Sequence, residues 1–327
     1  MNKPSNKQII VSAPGKLMLF GEHAVVQGKP CIVTAVDQRL LLKATKLDEP
    51  IFQLEAPDVE VVGYEKPLSE VGKGELPKGA KFVEIATQNF LAKHKIKGGV
   101  RFESVSQFKS TFGFGSSSAS AVDTVKALSA LFKIKLTPEE FFKIAYKTVI
   151  DIQGVGSGFD LAAASYGGTL YYVYPGKVID PLKIKSLPLI VGYTGVKADT
   201  ATLVKAVNVK RDQYPKIFKN IFDSIALIIE EAKIALEKKD FAKVGELMNL
   251  NQGYLESMGV GSDKLSAMIY AARNAGAYGA KLSGAGGGDC MIALAPDDKR
   301  KAVEKAITAA GGQVLQVEVN AKGVAIQ

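Results

Sequence analysis

GFGSSSASAVDTVKALSALF, residues 113–132, joins a glycine–serine run to a stretch with one apolar face. Ala121, Val125, Leu128 and Phe132 recur at helical spacing, so a helix is predicted over 117–132. Glycines just ahead of a helix let the backbone approach an anion without a Cβ in the way, and the unpaired amides of the first turn face it. Serine hydroxyls there add donors to a phosphate or oxygen ligands to magnesium. The stretch is not a Walker loop, because the lysine of that motif is absent. Read alone, it is also compatible with a flexible loop ending in a serine cap.

Two more glycine-rich segments lie towards the ends of the chain. APGKLMLFGEHAVVQG (13–28) sets Lys16 between two apolar runs and follows them with the acid–histidine pair Glu22-His23. Read as structure only, it is a strand–turn–strand with surface charges; read for function, it projects Lys16, Glu22 and His23 into one cleft. KLSGAGGGDC (281–290) places four glycines within five residues between two β-like runs, which exposes backbone amides. Its plain reading is a long hairpin loop. A fourth segment, QGVGSGFD (153–160), ends on Asp160, which by residue type alone reads as a helix cap or an Asx turn.

Around these segments the pattern alternates between strands and helices. Residues 9–12, 17–20, 31–35 and 40–44 read as strands, and 48–81, rich in Gly, Pro, Lys and Glu, as a weakly structured insert. A helix is expected over 82–92 and a strand over 99–105. Thr137-Pro138-Glu139-Glu140 is a helix start with a capping box. A tyrosine-rich strand ends at Tyr174. After a change of character at 175–188 come a strand at 189–193 and helices at 199–209, 217–236, 241–257 and 263–275. Strands at 280–282 and 290–295, a helix at 298–310 and a strand at 313–319 finish the chain. No internal repeat is evident. The order predicts an α+β protein of two domains, residues 1–180 and 181–327, the second with a small antiparallel sheet.

Composition narrows the classes. The chain has 327 residues, 47% hydrophobic and 23% charged, so a sizeable core is available without staples. Two cysteines, Cys31 and Cys290, give neither a metal spacing nor a disulfide framework, and a cytoplasmic protein is expected. MNKPSNKQIIVSAPGK (1–16) holds no apolar run of signal-peptide length, and no run of about eighteen apolar residues predicts a membrane span. The net charge of +9 is spread along the chain. Without a basic stripe and interleaved aromatics it reads as a lysine-rich surface, not a nucleic-acid site, and it suits an anionic substrate.

In order and spacing the segments resemble the three signatures of the GHMP kinases. The Gly21-Glu22-His23-Ala24 run, GYTGVKADTATLVKAV (192–207) and NQGYLESMGVGSDKL (251–265) are similar to the mevalonate kinase family in particular. Departures are visible: Ser110 stands where a proline is usual, Phe114 replaces leucine, Ser118 replaces alanine, and Asp289 replaces the last glycine of the third signature. The resemblance implies a first domain related to a ribosomal-protein domain, a ferredoxin-like second domain, and ATP in the cleft between them. It implies Asp160 and Lys16 as catalytic residues and Glu22, His23 and Thr200 as substrate contacts. It places Gly113, Gly115, Ser116, Ser117, Ser118, Gly284 and Gly286 on the nucleotide. Ser117 would ligate Mg²⁺. The family's magnesium-binding glutamate, eleven residues before the aspartate, is Val149 here. Asp151, two residues on and on the same side if the segment is a strand, is the expected substitute.

The function so implied is ATP-dependent phosphorylation of mevalonate to 5-phosphomevalonate in isoprenoid biosynthesis, by a protein without nucleic-acid or membrane partners and in a homodimer like many relatives. Gly158-Phe159-Asp160 and Asp289 favour phosphomevalonate kinase as the alternative. A non-catalytic sensor of the same fold would have lost Lys16, Asp160 or the serines, all of which are present. The related decarboxylase lacks the Gly-Glu-His run.

Overall fold

In the computed structural model, which describes residues 7–327, the two strands expected over 9–20 are one: β1 spans Gln8–Phe20. The opening of the stretch read for a leader, residues 1–6, lies outside the described residues. β2, Pro30–Leu47, likewise fuses two expected strands and pairs antiparallel with β1. Pro14 faces Arg39 while Gly15 faces Val36, so Asp37 and Gln38 are left over. The proline–glycine pair is therefore a bulge in a continuous ladder, not a turn.

The chain continues with β3 (Ile51–Ala56), β4 (Val61–Pro67), α1 (Lys81–Leu91), β5 (Gly99–Ser106), α2 (Ser116–Leu131), α3 (Pro138–Gln153), α4 (Phe159–Tyr166), β6 (Thr169–Val173) and β7 (Val178–Pro181). Then follow β8 (Leu189–Tyr193), α5 (Thr200–Gln213), α6 (Pro215–Glu237), α7 (Phe241–Met258), α8 (Asp263–Asn274), β9 (Gly279–Ser283), β10 (Cys290–Leu294), α9 (Arg300–Ala309), β11 (Gln313–Leu315) and β12 (Ala325–Ile326). The insert expected to be weakly structured contains the β3–β4 hairpin. Phe52, Leu54 and Ala56 alternate into the core, and β3 adds to the sheet parallel to β5. Composition hid this period-two pattern behind the surrounding Gly, Pro and Lys.

One sheet runs β12-β1-β2-β5-β3-β4, with β6 also on β2 and β7 on β6; the other runs β11-β8-β10-β9 and is antiparallel throughout. β1 and β2 form a wall between two cores. Val11, Ala13 and Met18 of β1 and Cys31, Val33 and Leu42 of β2 pack under α1 to α4. Leu17, Leu19, Ile32 and Val36 face the other way, against the core of the second sheet. Strand alternation thus gives each face its own core. The expected second domain over 181–327 is corrected at its end. Val319 bridges Val36, Lys322 bridges Gly167, and β12 pairs with β1, so the C-terminus returns to the first sheet. Among the described residues no helix is long and apolar enough to cross a membrane.

Candidate active site

A cleft of about 380 Å³ opens between the two sheets, and residues from all the glycine-rich segments line it. Lys16 enters just after the β1 bulge. Its backbone amide donates to Phe114 O at 2.9 Å, and its Nζ donates to Gly113 O at 2.9 Å, so the strand and the loop before α2 are laced together. Lys16 Nζ stands 3.4 Å from Asp160 Oδ1 and 5.5 Å from the centre of the Phe159 ring. Asp160 sits in the first turn of α4. The approach to that helix is held by Tyr172 Oη donating to Ser157 O at 2.6 Å and Tyr146 Oη donating to Gly156 O at 2.8 Å. Oδ1 of Asp160, the oxygen paired with Lys16, is buried and accepts no hydrogen bond from the described residues, while the side chain as a whole is 31% exposed and lines the cleft.

α2 begins at Ser116 after Gly113 and Gly115, both left-handed at φ 74° and 77°. Among the described residues no side chain caps this end, which leaves the first-turn amides to an anion. Gly113, Gly115, Ser117 and Ser118 line the cleft; Ser116 does not. On the opposite wall Gly284 lines the cleft, while Gly286 is a packing residue of the same loop: a Cβ there would lie 2.0 Å from Val260 O. Thr200, at the start of α5, and Lys197 complete that wall. Asp289 ties the walls together. Its Oδ1 accepts from Ala198 N at 2.9 Å, and a Cβ on Gly113 would lie 2.7 Å from its Oδ2. Burial pushes the Asp289 carboxyl up, opposed by the Ala198 amide and by Lys16 and Lys197.

Glu22 and His23 follow β1. Glu22 is 2% exposed, and its Oε1 accepts from Lys281 Nζ, a lysine of β9 with no exposed surface. Burial raises the carboxyl and lowers the ammonium, and each one's charge opposes the other's shift. Oε2 of Glu22 meets no donor at full hydrogen-bonding geometry among the described residues, although the backbone amides of Glu22 and Gly284 lie close enough to pull the carboxyl back down. His23 has φ 60°, and its Nε2 lies 2.9 Å from Ala285 O. A carbonyl only accepts, so Nε2 carries the proton; burial, the larger influence, lowers the ring's pKa and keeps it neutral. Nδ1 is then a buried acceptor with no hydrogen-bond partner among the described residues. The sequence reading missed Lys281 as a site residue. Its signal was a lysine inside the apolar run Ala280–Leu282, which needs a buried acid.

The expected substitution by Asp151 is corrected. Val149 and Asp151 lie on a helix, α3, where two residues are separated by about 200° and point to opposite sides. Val149 lines the cleft. Asp151 faces away, where it accepts from Asn89 Nδ2 at 2.8 Å and pairs with Lys147. Ser117, Asp160 and Asp289 offer the cleft hard oxygen donors of the type Mg²⁺ takes, while no cluster of three or more His, Cys, Asp or Glu occurs among the described residues. This set fits a magnesium ion carried on nucleotide phosphates and completed by water, not one caged by the protein.

The GHMP kinases N terminal domain matches residues 81–168, and GHMP kinases C terminal matches 232–313. A mevalonate kinase of Pyrococcus abyssi is 38% identical over 330 residues, covering 98% of each chain. The crystal structure of L. major mevalonate kinase in complex with R-mevalonate superposes with a TM-score of 0.76 at 29% identity, over 99% of this chain and 100% of that one. Streptococcus pneumoniae phosphomevalonate kinase shares the fold, with a TM-score of 0.78 over 95% and 99% of the two chains, at 21% identity. By full-length similarity and by both domains, this chain belongs to the mevalonate kinase family of the GHMP kinases.

Proposed function

We propose that the cleft performs the family's reaction through Lys16 and Asp160. The chain is an ATP-dependent kinase that converts mevalonate to 5-phosphomevalonate. The observation that carries the site assignment is the ion pair of Lys16 with the cleft-lining carboxylate of Asp160, beside a helix start with no side-chain cap among the described residues. The amides of the first turn of α2 take nucleotide phosphate oxygens, with the hydroxyls of Ser117 and Ser118 as further donors. Asp160 accepts a hydrogen bond from the primary hydroxyl of mevalonate and aligns it on the γ-phosphorus. As the new O–P bond forms and the bond to the ADP oxygen breaks, the hydroxyl proton passes to Asp160. Lys16, fixed by Gly113 O, meets the charge on the transferred group. Ser117, together with the nucleotide phosphates, would hold a magnesium ion, which would supply neutralisation of charge along the phosphate chain.

Glu22 Oε2 and His23 Nδ1 are both acceptors, so this corner selects a group that donates hydrogen bonds and disfavours a second phosphate. That observation favours mevalonate over phosphomevalonate. The test is ADP release by the purified protein with Mg·ATP and mevalonate, phosphomevalonate, galactose or homoserine. Turnover confined to mevalonate is expected; turnover with phosphomevalonate instead overturns the reading.

A further inference from the structure

The pair Glu22–Lys281 ties the first sheet to the second at the base of the cleft. Lys281 sits on β9, and its Nζ has two acceptors, Glu22 Oε1 and, at 2.6 Å, its neighbour's carbonyl, Leu282 O. Next to it Ser283 clips the same two sheets: its Oγ accepts from Met18 N at 3.1 Å and donates to Met18 O at 2.9 Å. Gln252 of α7 accepts from Leu282 N at 2.9 Å and fixes β9 from behind. Lys281 thus sits on a strand clipped on both sides, and its ionic partner among the described residues lines the cleft.

A fully buried ion pair is weak evidence of a purely stabilising role. Desolvation of two charges commonly matches or exceeds their attraction, and an apolar pair of the same size serves as well. What an apolar pair does not supply is a carboxylate with one oxygen engaged and the other free. Glu22 is in that state: Lys281 engages Oε1, and Oε2, like Nδ1 of the following residue His23, has no hydrogen-bond partner among the described residues. We infer that Lys281 is a positioning residue for the acceptor substrate. It holds Glu22 as a carboxylate whose Oε2 accepts a hydrogen bond from a hydroxyl of the bound alcohol, and it has no part in nucleotide binding. The inference rests on the reading of this cleft as a mevalonate site. Without Lys281, a buried Glu22 takes up a proton, its carboxyl becomes a donor, and the acceptor corner is lost.

The test is steady-state kinetics of the full chain with Mg·ATP and mevalonate, in a double-mutant cycle of Glu22→Gln and Lys281→Met. For Lys281→Met the KM for mevalonate is expected to rise about 10- to 100-fold, the effect of losing a charge-assisted hydrogen bond, with the KM for ATP unchanged. An unchanged KM for mevalonate with only a lowered Tm makes the lysine purely structural and overturns the inference, as does an equal rise in the KM for ATP. Because Lys281 acts through Glu22, Glu22→Gln and Glu22→Gln/Lys281→Met should share one KM for mevalonate. The neutral double variant keeps this comparison usable if Lys281→Met does not fold, and a further tenfold rise in the double variant rejects the inference. Failure of the mevalonate reading itself is seen separately, in the unaltered protein.

Discussion

Lys16 and Asp160 meet at 3.4 Å although they lie at opposite ends of the first sheet's part of the chain, one on the strand that opens the fold and one on the last helix before β6. The bulge at Pro14/Gly15 and the tyrosine-held turn before α4 bring them together. Asp160→Asn keeps the size of the side chain but offers no base. It should leave Tm and ATP binding near the starting values and lower kcat by about 10²–10⁴-fold. Lys16→Met should lower kcat/KM by about 10²–10³-fold. Near-normal turnover of either variant removes that residue from the mechanism.

Gly113 and Asp289 are coupled by contact. Gly113→Ala adds a Cβ at 2.7 Å from Asp289 Oδ2, on a residue held at φ 74°. The left-handed conformation alone costs an alanine about 1–2 kcal/mol. The variant should raise the KM for ATP and lower Tm. Asp289→Gly in the same chain relieves the contact, so it should recover part of the ATP affinity. An equal loss in both variants would show that the backbone conformation, not the contact, sets the cost.

Val149, not Asp151, is where a carboxylate would face the cleft. Val149→Glu should lower the Mg²⁺ concentration needed for half-maximal turnover, while Asp151→Asn should leave it unchanged. The readout is a magnesium titration at fixed ATP. A shift on Asp151→Asn would mean that α3 turns in solution.

His23 is held neutral by burial, with a pKa below the ordinary 6.5. The unfolded chain binds its proton near that ordinary value and the folded chain only at lower pH. Between the two the unfolded state carries more protons, so stability falls as pH drops from about 6.5 to the lowered value. His23→Gln, which retains a donor for Ala285 O, should flatten this part of a Tm-against-pH curve. An unchanged slope would assign the acid sensitivity to another group.

Local patterns were legible in the sequence wherever a segment has one environment. The capping box at Thr137, with Glu140 N donating to Thr137 Oγ1 at 3.2 Å, and α2, α6 and α7 follow from residue order because caps and apolar faces are local. The glycine and serine segments were legible as a candidate phosphate site through backbone permissiveness, which is also local.

Other features needed the tertiary structure. Residues 9–20 and 31–44 read as broken apolar runs because β1 and β2 serve two cores, one on each face, so no single alternation marks them as continuous. Asp151 was matched to the cleft on strand geometry, and the helix turned it away. A lysine within the apolar run of β9 signals a buried acid but not which one: Glu22 is 259 residues distant, and the pairing exists only once β9 packs beside β1. The sequence by itself determined the capped and amphipathic helices, the candidate phosphate-facing segments and the family. The tertiary structure decided which side chains share the cleft, because facing direction and buried charge pairing arise from packing between elements distant in the chain.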